Sequence, residues 1–243
     1  MSEPWASLPD VLKEEISGCW PSVFPEGLPG WLAGDPVSEA DAAEAISRSL
    51  FLRQTLERHP EQIQPAVAAR PLAEPTTEAW LADRWRDYLQ NVDSEPALHA
   101  ALRQYRREVQ FRIIWRDLMK WADLHETMTA TSAFADTAID GALNWLYERA
   151  CEEFGTPMGD DPVTGQEAPQ KMVVLGMGKL GGRELNVSSD IDLIFAFPSK
   201  GETHGGRRAL DNQQFFIRLG QRLIQALDQI TADGFVFRVD MRL

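Results

Sequence analysis

Residues 171–197 read KMVVLGMGKLGGRELNVSSDIDLIFAF, and this stretch decides the fold predicted for the chain. An apolar run at residues 173–175 predicts a buried strand, and a second apolar run at residues 193–195 predicts another. Between them lie a glycine-rich turn and a segment long enough for a short helix. The sequence therefore predicts two strands joined by a turn and a short helix.

Two carboxylates open the second predicted strand. Asp190 and Asp192 are two residues apart, and because successive side chains on a strand alternate between its faces, both are expected on one face. Like charges held side by side repel unless a cation lies between them. Carboxylate and phosphate oxygens are the ligands that Mg²⁺ prefers, so this spacing predicts a divalent metal site. Taken alone, the pair could also be residues that only hydrogen-bond their own backbone at a strand end.

A third carboxylate lies in the last predicted strand, over residues 235–242. Alternation along this run puts Asp240, Arg238 and Arg242 on the same face. The two arginines are expected to pair with carboxylates rather than to contact a substrate. If this strand lies beside the one that carries Asp192, three carboxylates meet at one metal site.

The glycine-rich turn at residues 176–182 predicts a phosphate site. Gly178 and Gly181 let the backbone approach a phosphate closely and present N–H groups at a helix start. The pattern is formally GxGxxG, the dinucleotide fingerprint, but only seven residues separate Gly182 from Asp190. That length is too short for the crossover helix of a dinucleotide-binding unit, and no GK[ST] completes a P-loop. Phosphate and metal are thus predicted at one place.

Composition restricts the class of protein. The chain has 243 residues, of which 44% are hydrophobic, so it can bury a substantial core. Its net charge is −13, so the chain lacks the excess of basic residues expected of a nucleic-acid-binding protein. The first residues are acidic and rich in proline, unlike a secretory signal, and no run is long enough for a membrane span. Cys19 and Cys151 are expected to be plain thiols, which suits the reducing cytoplasm. We therefore expect a cytoplasmic protein, and the lack of a spanning run predicts no membrane partner.

The rest of the pattern is mainly helical, which gives an α+β fold class. Apolar residues at helical spacing predict helices over residues 38–59, 76–89 and 131–153, from residue 94 onward, and from residue 211 to about 230. A Gly/Pro-rich segment at residues 155–169 predicts the boundary between a helical unit, residues 1–165, and a small mixed sheet with flanking helices, residues 166–243. Because the chain ends within a predicted strand, the sheet is expected to be incomplete and the chain to be the front part of something longer.

The helix that begins near residue 94 has two contrasting sides. Its apolar side is expected to pack against neighbours. Its other side carries five arginines, which predict a solvated face or, as the alternative, a surface for an acidic partner. These arginines are Arg103, Arg106, Arg107, Arg112 and Arg116.

The order of elements resembles the palm of the polymerase-beta-like nucleotidyltransferases. That order is a strand, a glycine turn, a short helix and an Asp-x-Asp strand, followed by a later strand that carries a third aspartate. More closely, GMGKLGGRELNVSSDIDLIF at residues 176–195 resembles the signature of the glutamine synthetase adenylyltransferase and adenylyl-removing enzymes, whose chain carries two such domains. The segments FRIIWRDL at 111–118 and TSAFADTAIDGALNWL at 131–146 are also similar to that family. A signature this near the N-terminus, with Lys179 after Gly178, is similar to the first, adenylyl-removing domain.

The resemblance implies that AMP is removed from a modified tyrosine of glutamine synthetase by phosphorolysis, which releases ADP, and that the full-length enzyme also adenylylates glutamine synthetase from ATP. It implies Mg²⁺ at Asp190, Asp192 and Asp240, with phosphate oxygens bound near Gly178, Gly181 and Ser189. Lys179 and Arg183 would neutralise phosphate charge. Implied partners are glutamine synthetase, a PII-type signal protein as regulator, ATP, ADP and orthophosphate.

Two other functions remain open from the residues. The same palm could catalyse another protein nucleotidyl transfer, either adenylyl or uridylyl, because the metal ligands do not reveal the direction of reaction. Alternatively, the chain could be a helical interaction module with a degenerate nucleotidyltransferase half, although intact carboxylates at all three positions disfavour degeneracy. The 243-residue chain by itself is expected to bind nucleotide weakly and could be inactive.

Overall fold

The computed structural model describes residues 5–6, 8–33, 37–206 and 209–241. It is mainly helical with two small three-stranded sheets, which confirms the predicted α+β class. The helices are α1 Asp10–Val23, α2 Gly30–Ala33, α3 Glu39–Arg48, α4 Leu50–Arg58, α5 Pro60–Ala69, α6 Glu78–Leu89, α7 Glu95–Leu118, α8 Leu124–Phe154, α9 Gly178–Gly181 and α10 Asn212–Asp228. Among the helices described, none is long and apolar enough to cross a membrane.

The chain divides into two compact units. One consists of Met1–Thr77 and Arg106–Thr131, and the other of Glu78–Tyr105 and Ser132–Leu243. The long helices α7 and α8 therefore each contribute residues to both units. These compact units do not test the domain boundary predicted between residues 165 and 166, which stays a prediction.

The first unit contains a helical core. Buried side chains of α1 to α5 pack with Phe111 and Trp115 of α7. At the start of α3, Ser38 and Asp41 form a capping box. The prediction of a single helix over residues 38–59 is wrong, however, because the helix is interrupted at Ser49. This residue is extended (φ −134°, ψ 105°), and its hydroxyl accepts a hydrogen bond from the Leu52 N–H, so it begins α4 as an N-cap.

The prediction that five arginines form a solvated face on α7 is wrong for four of them. The side chains of Arg103, Arg107, Arg112 and Arg116 are all buried. In the first unit, Arg112 donates to the carbonyl oxygens of Arg70, Pro71 and Glu74, and Arg116 donates to those of Leu72 and Ala73. A buried guanidinium is stable only when its donors are satisfied, and here a loop supplies the acceptors. Arg112 and Arg116 thus hold residues 70–74 in place.

The second unit contains both sheets. One consists of β1 Gly155–Asp160, β2 Glu167–Pro169 and β5 Thr203–Gly205 in the order β2-β1-β5, with antiparallel pairing throughout. These strands lie in the Gly/Pro-rich segment at residues 155–169 and at residues 203–205, where the sequence pattern predicted no strand. Asp161 follows β1 as a turn residue, since its carboxylate accepts hydrogen bonds from the N–H groups of Val163 and Thr164.

The other sheet contains the two strands predicted first, but the burial predicted for residues 173–175 is wrong, since Val173 and Leu175 are about half exposed. It consists of β3 Val173–Met177, β4 Ile191–Ala196 and β6 Val239–Asp240 in the order β3-β4-β6. β3 pairs with β4 antiparallel and β4 pairs with β6 parallel, so the sheet is mixed, as expected. An antiparallel β3–β4 pair also excludes the parallel crossover of a dinucleotide-binding unit, in agreement with the short spacing.

The segment after α10 differs from the prediction. Ile230, at the end of the helix predicted from residue 211 to about 230, is 70% exposed because α10 ends at Asp228. The strand predicted over residues 235–242 is reduced to Val239–Asp240 among the described residues, and Arg242 lies outside them. Val236 and Phe237 are both buried, and their N–H groups donate to the Leu227 carbonyl rather than to a strand. The end of the helix therefore replaces the sheet as their hydrogen-bonding partner.

Candidate functional site

Asp192 and Asp240 lie directly beside each other on neighbouring strands. In the parallel pair β4–β6, Asp192 is in register with Asp240, and Ile191 is in register with Val239. Residues in register on neighbouring strands project to the same face of a sheet. Both aspartates are half-buried, whereas Ile191 lies in the core. The structure therefore brings together two carboxylates that are 48 positions apart in sequence.

The third predicted ligand, Asp190, immediately precedes β4 and is exposed. The neighbouring Ile191 N–H donates to the Arg238 carbonyl at 2.9 Å, which joins the start of β4 to the segment before β6. Arg238 itself lies with its guanidinium 5.3 Å from the centre of the Phe235 ring. Its predicted pairing with a carboxylate stays a prediction, and the same prediction for Arg242 falls outside the described residues.

The glycine turn approaches the Asp192 carboxylate directly. Gly178 has φ +53°, and a Cβ added there would lie 2.8 Å from Oδ2 of Asp192. At Gly181 an added Cβ would lie 2.5 Å from the Gly176 carbonyl oxygen, so the turn folds tightly against the end of β3. At both of these predicted phosphate-site positions a side chain would collide with a neighbouring group, so glycine is needed there. Because position 178 carries no side chain, the backbone of the turn can lie close to the Asp192 carboxylate.

Lys179 and Ser189 lie together beside this turn. The Lys179 ammonium donates to the Ser189 hydroxyl at 3.4 Å, and both side chains are at least partly accessible to solvent. The Ser189 N–H donates to the Asn186 carbonyl and so closes the turn that precedes Asp190. Two predicted phosphate-site residues are therefore neighbours, ten positions apart in sequence.

Arg183 points at an acidic group. Its guanidinium forms an ion pair with Glu78 at the start of α6. Burial raises the pKa of the Asp136 carboxyl above its ordinary value, and the positive charge of Arg183 opposes this rise. The backbone of Arg183 has φ +57°, a conformation rare for a residue with a side chain. Its predicted contact with phosphate stays a prediction, since the contact present here is with a carboxylate.

Two residues that support the site were not found from the sequence. One is Glu78, which holds Arg183, and the other is Ser132 of α8, whose hydroxyl accepts a hydrogen bond from the buried Leu185 N–H at 3.2 Å. Leu185 lies in the connection between α9 and β4. No local pattern predicts these contacts because the partners are 105 and 53 positions apart.

The donor set suits a hard cation, although the three-ligand site is not assembled. Within the described residues, no group of three or more histidine, cysteine, aspartate or glutamate side chains is arranged to hold a metal ion. Mg²⁺ is commonly bound by one or two carboxylates, with phosphate oxygens and water in the remaining positions. The adjacent carboxylates of Asp192 and Asp240 fit that requirement. The participation of Asp190 stays a prediction.

The sequence of the chain matches a protein-family model over residues 40–243, and the model is described as glutamate-ammonia ligase adenylyltransferase. The chain belongs to the glutamate-ammonia ligase adenylyltransferase family. The match includes the glycine turn and all three aspartates. Membership confirms the resemblance that residues 176–195 suggested.

Curated relatives in the glutamate-ammonia ligase adenylyltransferase family are similar over most of the chain. The bifunctional glutamine synthetase adenylyltransferase/adenylyl-removing enzyme of Pseudomonas putida is 49% identical over 211 residues, which are 87% of this chain and 21% of the relative. The proteins of the same name from Pseudomonas syringae and Shewanella oneidensis are 52% identical over 195 residues and 46% identical over 221 residues. These matches cover 79% and 91% of this chain. The chain therefore spans about a fifth of the length of these relatives.

Proposed function

We propose that this chain carries a nucleotidyltransferase site that removes AMP from adenylylated tyrosine of glutamine synthetase, with orthophosphate as the attacking group. The observation that carries the proposal is the register of Asp192 with Asp240 beside the Gly178 turn. The printed names of the relatives, which combine adenylyl transfer and adenylyl removal, support the choice of protein substrate. The 243 residues are proposed as the part that holds the adenylyl-removing site.

In the proposed reaction an oxygen of orthophosphate forms a bond to the phosphorus of AMP. The bond between that phosphorus and the tyrosine oxygen breaks, the tyrosine oxygen takes up a proton, and ADP is released. Orthophosphate is already an anion, so the site needs no strong general base. Its main task is to orient the two phosphates and offset their negative charge.

Asp192 and Asp240, with Asp190 as the third ligand, are proposed to hold Mg²⁺. When bound there, the metal supplies charge stabilisation for the entering and leaving oxygens. The carboxylates of this chain fix where that charge sits because they project from paired backbone positions. The turn keeps side-chain atoms away from Asp192 at Gly178, so a phosphate can come close.

Lys179 and Ser189 are proposed to bind the phosphate oxygens. The ammonium contributes a positive charge and the hydroxyl a hydrogen bond, and their mutual contact keeps the two side chains together. Arg183 is proposed to join them once it leaves Glu78, because its guanidinium can bind phosphate with two parallel hydrogen bonds.

Further parts of the proposal concern the whole protein. A PII-type signal protein is proposed as its regulator, and ATP is the proposed donor for the opposite, adenylylating activity of the complete enzyme. We place the protein in the cytoplasm, consistent with the free thiols of Cys19 and Cys151.

The test uses a protein of the relatives' length that carries this sequence. It is incubated with adenylylated glutamine synthetase, orthophosphate and Mg²⁺, and ADP is measured. The variant Asp192→Asn with Asp240→Asn should lower ADP release by about a hundredfold or more, since several kcal/mol of charge stabilisation are lost. Asp160→Asn, an exposed aspartate at the end of β1, is the matched control and should retain activity.

Two outcomes would contradict the proposal. If the protein releases pyrophosphate from ATP but no ADP from the adenylylated substrate, the site transfers nucleotides in the other direction. Unchanged ADP release by the double aspartate variant would show that the carboxylate pair is not the reaction centre. In that case the chain would be a helical interaction module rather than an enzyme.

A further inference from the structure

Arg103 is a buried guanidinium that hydrogen-bonds only to backbone carbonyls in the contacts described. It lies on α7 and is 2% exposed. Its Nε donates to the Gly234 carbonyl at 3.0 Å, its Nη1 donates to the Ala226 carbonyl at 3.2 Å, and its Nη2 donates to the Gln229 carbonyl. Nη1 also donates to the His99 carbonyl one turn earlier on α7. One side chain therefore binds three carbonyls of a segment more than 120 positions away.

The three distant acceptors belong to the end of α10 and the turn that follows it. The last carbonyls of a helix have no partner within it, and they carry the negative end of the helix dipole. A cation there satisfies both requirements. The turn itself is closed by reciprocal hydrogen bonds between Thr231 and Gly234, and Arg103 connects this turn to the helix end.

A short and continuous path leads from this turn to Asp240. The N–H groups of Val236 and Phe237 donate to the Leu227 carbonyl, again at the end of α10. The Phe237 ring packs against Phe134 of α8 with centroids 5.0 Å apart. Asp240 follows three residues later on β6, where Val239 and Asp240 are in register with β4 among the described residues. Because the segment before β6 is anchored to α10 and α8, it sets where the chain enters the strand and so where Asp240 lies.

We propose that Arg103 is a positioning residue for the carboxylate pair: by holding the end of α10 and the 231–234 turn, it keeps Asp240 in register with Asp192. This inference rests on the proposed function, in which these two carboxylates hold the metal ion. The hydrogen bonds of Arg103 go to backbone carbonyls, so we propose that it acts through the backbone of residues 234–240. The precise requirement is for a planar fork of donors that reaches three carbonyls at once.

Three variants separate this role from a general contribution to stability. Arg103→Met removes all donors, and Arg103→Lys keeps the charge but replaces the planar fork with a single ammonium group. The matched control is Arg112→Met in the other compact unit. Arg112 is 3% exposed and also donates to three backbone carbonyls, but those carbonyls belong to residues 70–74.

Two measurements are made on the protein of full length. The first is amide hydrogen exchange, in which Arg103→Met should speed exchange at residues 235–241 while Arg112→Met leaves that segment unchanged. The second is direct binding of Mn²⁺, used as the probe for the metal site. Its affinity should fall by about 10- to 100-fold in Arg103→Met, the range typical when a group that orients a metal ligand is lost. Arg103→Lys should give a smaller loss, and Arg112→Met none.

Each outcome decides something. Unchanged exchange at residues 235–241 in Arg103→Met overturns the inference, as does unchanged Mn²⁺ affinity or an equal loss in Arg112→Met. If Arg103→Met does not fold, Arg103→Lys is judged by the same two readouts. If the unaltered protein binds no Mn²⁺, the proposed function fails, and hydrogen exchange alone decides whether Arg103 holds the segment.

Discussion

Gly178 is the single position where the glycine turn and the carboxylate pair constrain each other. Its φ of +53° is accessible to other residues only at a cost of about 1–2 kcal/mol. The more important constraint is the Asp192 carboxylate, whose Oδ2 would lie 2.8 Å from an added Cβ. Any side chain at this position must displace that oxygen or strain the turn.

We therefore predict that Gly178→Ala lowers the rate of ADP release by about tenfold or more, because misplacing a reacting group by a fraction of an ångström is costly. The fold itself should survive, with a loss of about 1 kcal/mol in unfolding free energy. Gly182→Ala is the matched control, because Gly182 has a right-handed helical conformation and an added Cβ would meet its neighbours at ordinary distances of 3.6 Å and beyond. Equal activities for the two variants would contradict this account of the turn.

His99 gives the chain a pH-dependent contribution to stability. Burial lowers the pKa of its imidazole below 6.5, the positive charge of Arg103 lowers it further, and Glu95 acts in the opposite direction. The unfolded chain therefore binds a proton more readily than the folded chain. The contribution of His99 is present above pH 6.5 and is lost as the pH falls through the lowered pKa.

The corresponding prediction is that unfolding free energy declines as the pH drops from 7 towards 5, and that His99→Gln makes this decline smaller. Urea denaturation at a series of pH values measures it. His125→Gln, at an exposed position on α8, is the matched variant and should show the decline of the unaltered chain. A decline that is the same in His99→Gln would assign the effect to other groups.

Individual side chains show where sequence reasoning succeeds and fails. The apolar run at residues 193–195 correctly predicted the strand β4, in which Ile191 and Leu193 are buried and Asp192 between them is not, because alternation is a local property of the backbone. The partners of Arg103 and Arg112 could not be predicted in the same way. A helical arginine can face solvent or bind carbonyls of a distant segment, and only the tertiary fold decides between them.

Helix α8 contains a glycine that its own propensity does not explain. Glycine in a helix interior costs about 1 kcal/mol relative to alanine, yet Gly141 lies well inside this helix. A Cβ added there would lie 1.7 Å from Nε1 of Trp85 on α6. The buried indole also packs on Tyr105, with ring centroids 5.3 Å apart, so it has little room to move.

We expect Gly141→Ala to lower the unfolding free energy by about 1–3 kcal/mol, because the cost of overpacking exceeds the gain in helix propensity. The matched control is Gly18→Ala in α1, where nothing lies within 4 Å of the added Cβ. That variant should gain up to about 1 kcal/mol. Thermal or urea denaturation compares the two, and a stabilised Gly141→Ala would show that Trp85 can move aside.

The elements that the sequence predicted are those with a local cause. The predicted starts of α3 and α10 agree with the structure because the capping box of α3 and the N-cap of α10 are each formed by residues within three positions of each other. β1 and β5 pair across Gly155 and Gly205, fifty positions apart, and their short lengths carry no periodic signal. The predicted length of β6 was too great for a related reason. Alternation alone cannot show that the Leu227 carbonyl captures the N–H groups of Val236 and Phe237.

Taken as a whole, the chain has a sheet face that its described residues leave largely open. On the face that carries Asp192, the side chains of Val173, Leu175 and Met177 are 49%, 47% and 44% exposed. Apolar residues in such a row are usually covered in the complete protein or by a ligand. In a protein of the relatives' length, about four fifths of the chain lies outside the matched part and is available to supply that cover.

The last prediction is that the 243-residue chain binds ADP with Mg²⁺ at least about tenfold more weakly than a protein of the relatives' length, since an open site buries less of a ligand's surface. Isothermal titration of both proteins measures the difference, and thermal unfolding of the short chain serves as the control for its folding. Asp192→Asn should remove the tighter binding of the long protein, which ties that affinity to the carboxylate pair. Equal and tight binding by the two proteins would mean that the 243 residues already form a complete nucleotide site.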